Sequence, residues 1–215
     1  MEQGLSGRVL QHPFRDRVSQ YEEWFARNEN AYQAELRAVG ELVGRGQRSV
    51  EIGVGTGRFA APLGVGIGLD PSLPMIRVAR RRAVEVMAGV GESLPFPDAS
   101  FDLALMVTTV CFLNDLEEAF REARRILVPR GSFVVGFVDR ASPLGAEYFE
   151  RKEESVFYAS ATFYTVAEVI AALKNAEFHE FEFRQTLFGP LNRTTPDESV
   201  KPGYGEGSFV AIKAK

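Results

Sequence analysis

Cysteine is almost missing from this chain: Cys111 stands alone among 215 residues, so neither an internal disulfide nor a cysteine-rich metal site is available. Histidine is nearly as scarce, with His12 and His179 only; no metal centre is expected. No apolar run approaches the ~20 residues that a helical membrane span requires, so insertion into a bilayer is not expected and a single globular domain is. Positive charge is not in excess, 25 Lys and Arg against 29 Asp and Glu, for a net charge of −4. Such a balance builds no field that gathers polyanions, and a nucleic-acid partner is not expected. The cluster Arg77, Arg80, Arg81 and Arg82 reads as the solvated face of a helix. The first residues lack the basic, apolar and small-residue succession of a secretory leader, which makes the cytoplasm the expected location. Internal repeats and low-complexity stretches are missing too.

What is present is a hydrophobic fraction of 45%, enough for a substantial core. Residues 17–43 carry Tyr21, Trp24, Phe25, Tyr32, Leu36 and Val39 at helical spacing, so residues 1–46 form an N-terminal helical cap ahead of a core spanning 47–215. In that core, strand-like runs at 49–54, 65–69, 84–88, 103–107 and 132–138 alternate with helical ones at 57–63, 73–82 and 116–127. Alternation of this kind predicts an α/β fold with a parallel sheet covered on both faces. Helices at 144–155 and 165–175 follow, and then strands at 178–187 and 208–213 with no helix between them, which pair as a long-looped antiparallel hairpin. The loop 188–207 exceeds the ~12–15 residues usual for an unstructured connection and is expected to lie over the active face.

The most informative stretch is Val-Glu-Ile-Gly-Val-Gly-Thr-Gly at 50–57: a buried strand runs into Gly53, Gly55 and Gly57 and then opens a helix. Bare backbone there lets a ligand lie against the peptide. A second apolar run ends in Asp70, whose carboxylate suits the two hydroxyls of a ribose. A strand-end Asp capping the turn at Pro71 and Ser72 is the alternative. The spacing is Gly-x-Gly-x-Gly, and Phe59 stands near where a dinucleotide motif has its third glycine. A nucleoside cofactor without a pyrophosphate, S-adenosylmethionine, fits this pattern.

Glu51, Gly53, Gly55 and Gly57, then Asp70, then residues 89–102 and the helix at 117–131 ending Arg-Ile-Leu-x-Pro-x-Gly, together resemble the class I S-adenosylmethionine-dependent methyltransferases, in their small-molecule, type 11-like group. The resemblance covers about residues 21–215. It implies a Rossmann-like, doubly wound sheet of seven strands in the order 3-2-1-4-5-7-6, the last antiparallel. It also implies that the Glu51 carboxylate serves the methionyl ammonium, with pairing to Arg58 or Arg48 as the alternative. The family often has Asp where this chain has Val90, which accepts no hydrogen bond, so adenine falls to the backbone of Gly91 and Glu92 and to the Glu92 side chain.

Methyl transfer from a sulfonium is an in-line displacement on an activated reagent, so alignment and exclusion of water are what the protein must add. No catalytic residue stands out. His179 reads as surface and His12 belongs to a segment able to fold over the pocket. Because ligands of open α/β sheets lie beyond the carboxyl ends of the strands, Thr108 is expected at the cofactor, and Thr109, Asp139, Tyr204 and Glu206 at the acceptor, roofed by Tyr21 and Trp24. Cys111 reads as a small apolar residue. The expected activity is methylation of O or N on a small organic acceptor; methylation of a quinone or lipid precursor, and a non-catalytic S-adenosylmethionine sensor, are the alternatives.

Overall fold

The computed structural model describes residues 17–44 and 47–215; His12 lies outside them. Two helices, α1 (Val18–Arg27) and α2 (Glu29–Gly40), lead into β1 (Ser49–Ile52), α3 (Ala60–Leu63), β2 (Ile67–Asp70), α4 (Leu73–Arg81), β3 (Glu85–Ala88) and β4 (Phe101–Val107). Then come α5 (Leu116–Ile126), β5 (Leu127–Val138), α6 (Pro143–Glu150), α7 (Val166–Asn175), β6 (Phe181–Thr186), β7 (Lys201–Pro202) and β8 (Phe209–Ala214).

The strands form one sheet in the order β3-β2-β1-β4-β5-β8-β6-β7. Strands β1 to β5 pair parallel, and β8 runs antiparallel between β5 and β6. The expected order therefore stands with β8 as its seventh strand, and an eighth is added. That addition is β7, two residues of the long loop whose backbone pairs with Arg184 and Gln185 at the open edge of β6.

Alternation along the buried strands sends Val50, Ile52, Ala104 and Met106 to one face, under α5 and α7, and Leu103, Leu105 and Val107 to the other, under α2 and α4. On α5 the buried Leu116, Ala119, Phe120, Ala123 and Ile126 recur by three and four, and the Asp115 carboxylate caps the helix by accepting the Glu118 N–H at 2.9 Å. A capping box of Thr165 and Glu168 starts α7.

Two helix boundaries differ from the sequence expectation for physical reasons. The helix expected from residue 57 begins only at Ala60, because Gly57 has φ +80° and breaks the helical run, and it ends after one turn at the left-handed Gly64. The helix expected over 144–155 stops at Glu150, leaving a separate turn at Lys152–Glu154. Helix α2 packs on β5, β6 and β8, and so belongs to the layer covering the sheet. Among the described residues no helix is long and apolar enough to cross a membrane.

Candidate active site

The carboxyl ends of β1, β2 and β4 open into one cavity of about 1000 Å³. Its floor is the glycine turn. Gly53 and Gly55 have φ of +76° and +52°, in the left-handed region that favours glycine. Space is as restrictive as φ: a Cβ on Gly53 would lie 2.3 Å from Thr109, and one on Gly55 3.2 Å from the Tyr21 hydroxyl. Gly57 does a different job, since a Cβ there would meet Ala79 of α4 at 3.2 Å, and it does not line the cavity.

At the end of β4, Thr108 holds φ +50°, a strained value for a non-glycine residue, and lines the cavity beside Thr109. The Thr109 hydroxyl is spent on backbone carbonyls, at 3.2 Å from Gly53 and 3.0 Å from Val107. Asp70 ends β2 with its carboxylate braced: one oxygen accepts the Gly55 N–H at 2.9 Å, the other the Ser72 N–H at 2.8 Å. The turn-capping contact is thus present, and the same residue forms part of the cavity wall. Gly91 and Glu92 line the opposite side with the exposed Val90, and the Glu92 carboxylate accepts the Asn114 N–H at 2.7 Å, tying the 113–115 segment to the rim.

Glu51 lies 1% exposed beneath the turn. Burial pushes its carboxyl well above the ordinary range, the Ala60 N–H it accepts opposes this, and Asp70 adds to it. Its Oε2 has no hydrogen-bond partner among the described residues. Neither candidate arginine serves it: Arg48 pairs with Asp102 at 3.2 Å, and Arg58 pairs with Glu22.

Glu22 was not singled out by the sequence, and it fixes α1 over the turn. Its carboxylate receives the Thr56 hydroxyl at 2.5 Å, the Arg58 guanidinium, and Arg82 at 2.6 Å. Burial raises its pKa, but the bonds to Arg58, Arg82 and Thr56 outweigh that and bring it to about 2. Arg82, expected on a solvated face, is therefore part of a clamp, and it also donates to the Thr56 carbonyl at 2.7 Å. Held this way, α1 sets Tyr21 and Trp24 in the cavity wall.

Past Tyr21 the cavity is aromatic. Phe112, Trp24 and Tyr158 line it, with Tyr148 stacked behind Tyr158 at 5.2 Å between ring centres. Within this wall stands Glu35 of α2, 3% exposed, its pKa pushed by burial up to about 8. No described residue donates a hydrogen bond to it. The signal for Glu35 was a carboxylate inside the apolar stripe Ala31, Ala34, Ala38 and Val39.

Other expected residues lie elsewhere. Asp139, at the end of β5, accepts the Ala141 and Val166 N–H groups at 3.0 and 3.3 Å and caps the start of α7, outside the cavity lining. Tyr204 is 51% exposed and packs on Phe183, and Glu206 pairs with Lys201 at 3.2 Å. Both sit on the 188–207 loop, which reaches the expected rim but three strands from β1, because β4, β5 and β8 intervene before β6. That loop is anchored to α2 through Asn30 and Arg37 and contributes nothing to the cavity wall. The segment around Ser155, Phe157 and Tyr158 covers the cavity instead. His179 is exposed, and burial pushes the Cys111 thiol up to about 12. Among the described residues no three His, Cys, Asp or Glu side chains assemble as a metal site requires.

With this geometry in view, comparison with known proteins is specific. A family model described as a methyltransferase domain matches residues 50–135. A Thermotoga maritima structure, described as a SAM-dependent methyltransferase and a possible histamine N-methyltransferase, is 50% identical with a TM-score of 0.92, over 94% of this chain and 98% of that one. An uncharacterized protein of Methanocaldococcus jannaschii is 41% identical over 92% of this chain and 96% of its own length. A demethylmenaquinone methyltransferase of Roseiflexus castenholzii is 40% identical over 90 residues, only 37% of either chain. The glycine turn, the acidic end of β2 and full-length similarity to a SAM-dependent methyltransferase agree, and the chain belongs to the class I S-adenosylmethionine-dependent methyltransferases.

Proposed function

We propose that this methyltransferase acts on O or N of a small organic acceptor, held in the aromatic part of the cavity beyond the glycine turn. The observation that carries the reading is the cavity itself: about 1000 Å³ of continuous space, running from Gly53 and Gly55 to Trp24 and Tyr158. That is the upper end of the roughly 300–1,000 Å³ of small-molecule sites, which suits a cofactor and a small acceptor side by side.

The residues present fit S-adenosylmethionine. The partnerless Oε2 of Glu51 would take the methionyl ammonium, the braced Asp70 carboxylate the ribose hydroxyls, and the Gly91 and Glu92 backbone the adenine, while Gly53 and Gly55 leave the floor bare. When bound, that cofactor supplies a methyl group already activated on a sulfonium. The chain's own part is to orient the acceptor and exclude water, through α1 held down by Glu22.

A quinone or lipid-precursor acceptor is the second reading, favoured by Tyr21, Trp24 and Phe112 in the wall; the similarity to demethylmenaquinone methyltransferase is confined to 37% of the chain. A screen of amines, phenols, carboxylates and demethylated quinones, read by release of S-adenosylhomocysteine, tests both. Turnover with a soluble small acceptor is expected. Release with the quinone alone replaces the first reading by the second, and release with none of the panel overturns both.

A further inference from the structure

A buried carboxylate facing a cavity needs a cationic partner or must stay protonated. Glu35 and Asp70 are buried in the cavity lining, with Glu51 buried beneath the glycine turn, and Glu35 lies in different surroundings from the other two. Glu51 and Asp70 both bear on the hydroxyl of Tyr21 and on each other. Glu35 is perturbed by burial alone, and the groups that sense its charge are Tyr148 of α6 and Tyr158 of the covering segment. Its wall is otherwise aromatic, with Trp24 and Phe112 in it and the Phe112 ring nearly parallel to Tyr158 at 6.2 Å. No arginine or lysine lines this part of the cavity among the described residues; the one basic side chain in its lining, Arg77, is exposed at the cofactor end.

We propose that Glu35 and the surrounding rings of Trp24, Tyr148 and Tyr158 receive an organic ammonium, so that the methyl acceptor is an amine nitrogen. The inference rests on the methyltransferase reading and narrows its substrate class. Ring faces and a desolvated carboxylate both attract a cation, and neither offers a neutral hydroxyl as much. An ammonium nitrogen has no lone pair to accept a methyl group. Proton transfer to Glu35 supplies one: the N–H bond breaks, its electron pair stays on nitrogen, and the proton forms an O–H bond on the carboxylate. A carboxyl whose pKa is about 8 can make that exchange near neutrality, and Tyr148 and Tyr158, whose pKa values are raised by burial, remain neutral throughout.

The test is binding, read separately from turnover. 2-Phenylethylamine and its neutral counterpart 2-phenylethanol are titrated into the full chain by calorimetry between pH 6 and pH 8, alongside S-adenosylhomocysteine. Because the ammonium needs the ionised carboxylate, amine affinity is expected to rise about tenfold from pH 6 to pH 7 and about fivefold from pH 7 to pH 8, with the alcohol's flat. The Glu35→Gln variant is expected to lose the rise. Absence of amine binding, a pH-independent amine affinity, or a rise that survives Glu35→Gln would overturn the inference. So would loss of S-adenosylhomocysteine binding in Glu35→Gln, which would make the residue a cofactor ligand. Failure of wild type to bind S-adenosylhomocysteine is a separate result, directed at the methyltransferase reading.

Discussion

Replacing Glu35 by glutamine is expected to gain stability relative to wild type as pH rises from 5 to 7, and the size of the effect follows from one group. In the unfolded chain the carboxyl titrates at its ordinary 4.5; in the fold, burial raises it to about 8. For a pKa raised on folding, the contribution is intact below the unfolded value and is lost as pH climbs to the folded one. Between pH 5 and pH 7 the unfolded chain releases a proton that the folded chain keeps, at about 1.36 kcal/mol per unit, so wild type loses about 2–3 kcal/mol that the variant does not. Glutamine has nearly the same shape as the protonated acid, and the comparison at pH 5 records the cost of the exchange itself. Chemical unfolding at both pH values gives the difference of differences, expected at about 2–3 kcal/mol in the variant's favour, or a relative gain of about 5–10 °C in Tm for a chain of this size. A stability difference that does not change between pH 5 and pH 7 would refute the reasoning, because Glu35 would then titrate as an exposed carboxylate. Stability given up at this position is what a site residue exacts from a fold.

The Glu22 clamp has the opposite sign. Its pKa of about 2 means that its contribution is complete above the ordinary 4.5 and is lost as pH falls toward 2. Glu22→Gln is expected to cost about 1–2 kcal/mol at pH 7, discounted because the side chain is 24% exposed, with the gap narrowing at pH 3 in chemical unfolding. In the glycine turn, Gly53→Ala places a Cβ 2.3 Å from Thr109 at φ +76°, and is expected to cost about 1–3 kcal/mol and to weaken S-adenosylhomocysteine binding. Adding Thr109→Gly removes the clash but not the φ penalty, so the double variant recovers only part of the loss, as thermal unfolding can measure.

The glycine turn and Asp70 were legible because everything they need is local: a buried strand, bare backbone and a carboxylate at the next strand's end, within about twenty residues. The alternation of elements announced a parallel sheet and the C-terminal run an antiparallel pair, while the strand order came from the family resemblance. The acceptor side was not legible in the same way. Tyr204 and Glu206 were assigned from the correct rim, but the rim is wide, and three intervening strands separate them from β1. Asp139 lies at the correct strand end, yet turn and helix N–H groups occupy its carboxylate. Glu22 acquires its role from Arg58 and Arg82, 36 and 60 residues away, a meeting that no local spacing announces. Glu35 left the one trace available, a charge on the buried stripe of an amphipathic helix. That trace gains meaning only when α6 and the 155–160 segment are seen to close around it.

The account turns on an adenosine cofactor lying across the glycine turn against Asp70, and calorimetric titration with S-adenosylhomocysteine measures this most directly. Wild type is expected to bind with a single site, and Asp70→Asn, which removes the charge and leaves one of the two bracing N–H groups facing an amide donor, about tenfold more weakly, with thermal unfolding followed alongside to show that the variant is folded. Wild type that shows no binding at millimolar ligand, or a folded Asp70→Asn that binds as tightly as wild type, would contradict it.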